Sequence, residues 1–123
     1  AESGTTEEEK AEEISIEDFA KVRLQVGEIV ACEKVPKSSK LLHETVKFGA
    51  ETRSVVSGIG KHYKPEELIG KKVIIVANLK PAKLRGVESC GMLLAAGYKS
   101  ADGEDKIAVT FLDDSIPEGS TVH

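Results

Sequence analysis

Tryptophan is absent from this 123-residue chain, and the remaining aromatics number five: Phe19, Phe48, Tyr63, Tyr98 and Phe111. So few rings exclude a broad platform for stacking splayed bases. The two cysteines, Cys32 and Cys90, lie far apart and outside any C-x-x-C pair or Cys/His cluster. That excludes a zinc ribbon, a redox motif and a disulfide scaffold, and it suits a reducing, cytoplasmic setting with both thiols buried and inert. There is no run of 18 apolar residues and no basic-then-apolar opening segment, so neither a membrane span nor a secretory signal is expected. Also missing are G-x-x-x-x-G-K-[ST], G-x-G-x-x-G and G-x-S-x-G, while His43, His62 and His123 lack the H-E-x-x-H spacing. No catalytic residue, metal or cofactor is expected of this domain. The turns at Asp102-Gly-Glu-Asp105 and Asp113-Asp114 read as solvated acid.

What is present is an uneven charge distribution beneath a net charge of −4. Residues 1–13 hold six Glu and one Lys, whereas residues 34–99 hold thirteen Lys or Arg against five Asp or Glu. A basic middle between acidic ends keeps a polyanionic partner open despite the acidic total. Residues 1–13 contain no apolar periodicity and read as an acidic flexible linker or tail; residues 14–123 read as one folded domain.

Ser15-Ile-Glu-Asp18 reads as a capping box that opens one or two helical turns, with Ile16 and Phe19 turned inward. Val22, Leu24 and Val26 alternate as a strand. Past Gly27 the alternation shifts to Ile29 and Ala31, as a bulge at the glycine would produce, letting one long strand bend and serve both sides of a barrel. Residues 42–48 and 53–57 predict two further strands, joined by a turn at Gly49-Ala50-Glu51. Pro65-Glu-Glu-Leu68 predicts a short helix closed by Gly70, and residues 73–77 a buried strand. Residues 92–96 and 107–111 add two more, before a turn at Pro117-Glu-Gly119 and a final Thr121-Val122. This order predicts an all-β fold, a five-stranded OB-fold barrel with short helices and extra terminal strands.

Basic residues gather in three places: Lys34, Lys37 and Lys40 around Pro36; Lys61, Lys64, Lys71 and Lys72 around the short helix; and Lys80, Lys83 and Arg85 after the 73–77 strand. Loops after the first strand and between the last two strands rim the ligand face of an OB barrel. Lys47, Lys71 and Lys72 read as solvated surface. The loop at residues 80–85, beside Asn78 and Ser89, suits phosphate and ribose contacts.

Asn78-Leu-Lys-Pro-Ala-Lys-Leu-Arg-Gly-Val-Glu-Ser-Cys-Gly-Met92 resembles the signature of the tRNA-binding domain family. Val22-Arg-Leu-Gln-Val-Gly-Glu-Ile-Val30, Pro36-Lys-Ser-Ser-Lys-Leu-Leu42, Val56-Ser-Gly-Ile59 and Pro65-Glu-Glu-Leu-Ile-Gly-Lys-Lys-Val73 are similar to the same family in the same order, so the likeness covers residues 14–123. That family includes the C-terminal appendix of bacterial methionyl-tRNA synthetase, which the chain resembles most, along with stand-alone bacterial tRNA-binding proteins and CsaA. The resemblance implies an OB fold, a homodimer, and sequence-tolerant binding to the outer corner of the tRNA L. It also implies a covalently attached synthetase catalytic domain as a partner. Carried onto this chain, the family's RNA face falls on Lys37, Lys40, Arg53, Asn78, Lys80, Lys83, Arg85, Ser89 and Met92. Met92 either touches a base or packs in the core.

A second reading is a CsaA-like dimeric chaperone for unfolded or precursor chains, although no surplus of Met or aromatics is available to line an apolar groove. A general single-strand DNA binder would want more aromatics. For assembly, Ile14, Ile16 and Phe19 ahead of the barrel and Phe111 and Ile116 behind it are expected to pair two copies.

Overall fold

The computed structural model describes residues 12–123, so most of the predicted acidic tail lies outside the described residues. Its organising element is the eleven-residue strand β1, Leu24–Lys34. Residues 24–28 of β1 pair antiparallel with β4, Lys72–Val76, and residues 28–34 pair with β2, Leu42–Phe48. Glu28 faces Lys72 on one side and Lys47 on the other, so the strand passes from one neighbour to the next at that residue.

The bend does involve a bulge, but not at the glycine. Ile29 and Ala31 face consecutive residues of β2, Val46 and Thr45, which leaves Val30 as the extra residue. Gly27 is required for a different reason. A Cβ there would stand 2.4 Å from Val46 Cγ1 and 3.2 Å from Phe48 Cε1, so the strand crosses the core at a separation only glycine permits.

Strand β2 alternates cleanly, with Leu42, Glu44, Val46 and Phe48 directed inward. It continues through a tight turn, with Gly49 at φ +61°, into β3, Glu51–Ser57. Helix α2, Pro65–Leu68, places a fully buried Leu68 among the core residues, and Gly70, at φ +90°, donates its N–H to Ile29 O at 2.7 Å. With β10, Phe111–Leu112, at its edge, the main sheet runs in the order β10-β4-β1-β2-β3 and curls around a core that includes Ile29, Val46, Val55, Val73 and Ile75.

The region after β4 differs from expectation. The predicted 92–96 strand is two pieces: β7, Met92–Leu93, stays on β4, while β8, Ala95–Lys99, leaves to form a separate hairpin with β9, Asp105–Val109. Ala95, Ala96 and Gly97 carry too little apolar surface to hold the segment on the barrel. The predicted 107–111 strand is also divided, since β10, Phe111–Leu112, returns to β4. Strand β11, Thr121–Val122, pairs with the start of β1.

Two further expectations are corrected. Helix α1, Ile16–Phe19, forms with Ser15 Oγ accepting the Asp18 N–H at 3.1 Å, yet Ile16 is 73% and Phe19 41% exposed rather than turned inward. One turn of helix at the start of β1 does not reach the core. Lys72 is not solvated: it is buried, and its ammonium donates to the carbonyls of Asp114 (3.1 Å) and Ile116, tying down the segment before β11. No helix among the described residues is long and apolar enough to cross a membrane.

Candidate nucleic-acid interface

The basic stretch expected as a loop is a β-hairpin. Strand β5, Ala82–Leu84, pairs with β6, Val87–Ser89, through a two-residue turn in which Arg85 and Gly86 have φ of 52° and 81°. Positive φ at both central positions is the type I′ geometry that matches strand twist. The signal was in the sequence: Arg85-Gly86 sits between Leu84 and Val87 where Asn-Gly is more usual. Lys80, Lys83 and Arg85 are exposed on or beside this hairpin, and none forms an ion pair among the described residues.

The hairpin is held rigidly to the barrel. Ser54 Oγ on β3 donates to Glu88 O at 2.7 Å and therefore accepts from His43 Nε2–H, also at 2.7 Å. Cys90 N–H donates to Ser54 O at 2.7 Å, and Ser89 Oγ accepts the Val56 N–H at 2.9 Å while donating to Gly91 O at 3.1 Å. These bonds join β3 to the 88–91 segment where the main sheet has no ladder. His43 and Ser54, which the sequence reading did not select, thus position the basic hairpin.

The predicted RNA-face residues separate into two groups. Lys37, Lys40, Lys80, Lys83, Arg85 and Met92 are exposed. The Lys37–Lys40 loop is ordered by the buried Val35 and by Ser38 Oγ, which accepts the Leu41 N–H at 3.1 Å. Met92 is 48% exposed, so of its two readings the core position falls away.

Asn78, Ser89 and Arg53 already have intramolecular work. Asn78 Oδ1 accepts the Arg23 N–H at 2.9 Å and its Nδ2 donates to Lys21 O at 2.6 Å, anchoring the segment that leads into β1. Ser89 is buried in the closure just described. Arg53 donates through Nε to Glu51 Oε2 at 2.8 Å and through Nη1 to Ala77 O, with its guanidinium 5.5 Å from the Phe48 ring centroid. These three side chains brace the face that the free cations present.

The residues expected to pair two copies also divide. Ile16 and Phe19 line an apolar groove of about 640 Å³ together with Val22, Leu24 and Val122. Ile14, 65% exposed, lies just ahead of it in the chain. Phe111 packs edge-on against Tyr63, with centroids 5.9 Å apart, and neither it nor Ile116 lines that groove.

Inside the barrel, burial and the nearby Glu44, Glu33 and Glu66 carboxylates push the Cys32 thiol up to about 12, which keeps it protonated and unreactive. Glu44 is 1% exposed; burial raises it to about 7 against the opposing bond from Ser57 Oγ at 2.6 Å, and its Oε1 has no hydrogen-bond partner among the described residues.

A curled, bulged seven-strand sheet whose main path is β10-β4-β1-β2-β3, a short helix between β3 and β4 and a cationic rim together define an OB-type barrel. The family model described as "Putative tRNA binding domain" matches residues 24–121, and the chain belongs to the tRNA-binding domain family. It is 58% identical over 109 residues to a methionine–tRNA ligase of Deinococcus radiodurans, a match covering 89% of this chain and 15% of the ligase. It is 54% identical over 117 residues to the methionine–tRNA ligase of Caldanaerobacter subterraneus, covering 95% of this chain and 18% of that protein. The chain thus spans less than a fifth of the ligases it matches. Among solved structures, a MetRS-related protein from Pyrococcus horikoshii superposes with a TM-score of 0.82 at 39% identity, covering 92% of this chain and all of that one. The chaperone CsaA of Bacillus anthracis superposes at 0.76 with 24% identity, over 91% of this chain and all of that one, a likeness of fold alone.

Proposed function

We propose that this domain binds folded tRNA at the outer corner of the L, with little dependence on sequence, and assists aminoacylation as an appendage of a methionyl-tRNA synthetase in the cytoplasm. The observation that carries the reading is the set of unpaired cations, Lys80, Lys83 and Arg85, displayed on a hairpin pinned to the barrel through Ser54 and Ser89. Cations held in fixed positions match a fixed array of phosphates, and few aromatics leave shape rather than base identity to be read. Met92 adds an exposed thioether, three residues past the end of β6, for contact with an unstacked base. A weak contact of this kind, once tethered to a catalytic domain, acts at high effective concentration and raises affinity for the substrate. Pairing two copies through the Ile16–Phe19 groove would join two basic faces into one surface.

The test is reversal of the hairpin charges. Lys80→Glu, Lys83→Glu and Arg85→Glu together should abolish tRNA binding in a filter or anisotropy assay while the thermal unfolding curve stays unchanged. A triple variant that binds as tightly as the parent would refute the assignment of the RNA face to this hairpin.

A further inference from the structure

A second cationic feature lies where the chain leaves β3 for α2. Lys34, at the end of β1, meets Lys61, His62 and Lys64 around a notch of about 330 Å³ that Tyr63 and the carboxylate of Glu67 also line, with Asp105 close enough to His62 to interact with it. Two chain segments distant in sequence therefore converge on one cationic concavity. Glu67 is already engaged, since its Oε1 accepts the Lys64 backbone N–H at 2.8 Å. None of the three lysines forms an ion pair among the described residues.

The notch is structurally fixed. His62 N–H and Tyr63 N–H both donate to Ile59 O at 3.0 Å, and Tyr63 Oη accepts the Val109 N–H at 3.0 Å. Gly60 N–H donates to Lys40 O at 2.7 Å, and a Cβ at Gly60 would meet the Lys40 carbonyl at 3.0 Å, so the turn lies directly on the loop that carries Lys37 and Lys40. The basic β1–β2 loop and the notch are consequently one continuous surface. Ser54, which holds the basic hairpin, is six residues from Gly60, at most about 20 Å of extended chain.

We propose that this notch is a second station for backbone phosphates of the same RNA, contacted by Lys34, Lys61 and Lys64 with His62 at its edge. The proposal rests on the RNA-binding reading above and extends it to residues outside the predicted face. Gathering like charges is unfavourable in the free protein and is relieved when a polyanion neutralises them. A free phosphate has little to hold it among exposed lysines. An RNA already anchored at the hairpin delivers phosphates to the notch at high local concentration.

The experiment compares the full chain with a notch variant, Lys34→Gln/Lys61→Gln/Lys64→Gln, and with the hairpin reversal variant, by anisotropy with folded tRNA over a range of salt concentrations. Loss of about three phosphate contacts should lower the slope of log affinity against log salt by about two to three and weaken binding at least about ten-fold near 0.1 M salt. The corresponding triple Lys→Arg variant, which keeps the charges, should restore most of the affinity and separates lost charge from lost structure. Parent-like affinity and slope in the notch variant, with binding lost in the hairpin variant, would overturn the notch while leaving the RNA reading intact. Retained binding in both variants would instead overturn the hairpin face and the notch together. Micromolar affinity of the notch for inorganic phosphate, combined with an unaffected tRNA slope, would identify a small-anion pocket and also refute the proposal.

Discussion

Glu44→Gln removes the one ionisable group that β2 directs into the barrel. In the parent, burial lifts this carboxyl from its ordinary 4.5 to about 7, against the opposing bonds from Ser57 Oγ, at 2.6 Å, and from its own backbone N–H. Between those values the folded protein holds a proton that the unfolded chain has released, so stability falls as pH rises. The advantage is complete below pH 4.5 and gone above about pH 7, with a total of roughly 3 kcal/mol. Glutamine is neutral throughout and keeps a polar partner for Ser57. The variant should therefore match the parent near pH 4.5 and exceed it by up to about 3 kcal/mol at pH 8, or about 10 °C in Tm for a domain of this size. Urea and thermal unfolding of both proteins at half-unit steps from pH 4.5 to 8 read this directly. The exposed Asp102, Asp105 and Asp113 and the half-buried Glu118 do not obscure the result. Hydrogen bonds from Ser100 to Asp102, from Lys99 to Asp105 and from Ser115 to Asp113, and first a backbone bond and then Lys47 at Glu118, hold them below their ordinary range. Their contribution is present above the ordinary carboxylate range and is lost as pH falls through the lowered values, outside the Glu44 window. Parent stability that is flat or rising from pH 5 to 7, or a glutamine variant weakened equally at every pH, would refute the reasoning.

Gly27→Ala should destabilise the fold by about 2 kcal/mol or more, because its methyl would stand 2.4 Å from the branched, buried Val46 side chain; an unchanged urea midpoint would show that β1 shifts freely at this point. Ile16→Glu with Phe19→Glu should yield monomers in sedimentation, since both side chains line the terminal apolar groove. A mass near 13.2 kDa for the parent at micromolar concentration would disprove pairing.

The elements legible in the sequence were those whose cause is local. Strand β2 was placed at its observed bounds because Leu42, Val46 and Phe48 alternate and Gly49 ends the run, and α2 because Pro65 starts it and Gly70 stops it. Element order was enough to predict the OB barrel, and the 78–92 signature the family. The tertiary structure alone decided what each polar side chain does, because its partner lies far along the chain. Asn78 meets Arg23 across 55 positions, Ser89 meets Val56 across 33, and Lys72 meets Ile116 across 44. A lysine that ends in buried carbonyls and one that ends in solvent have the same local signature. Gly27 illustrates the same limit: periodicity located a break in β1, but only the positions of Val46 and Phe48 show that the glycine provides clearance and that Val30 carries the bulge. Convergence of Lys34 with Lys61 and Lys64 follows likewise from the curl of β1 and the docking of Gly60 on Lys40, contacts between residues that no local pattern connects.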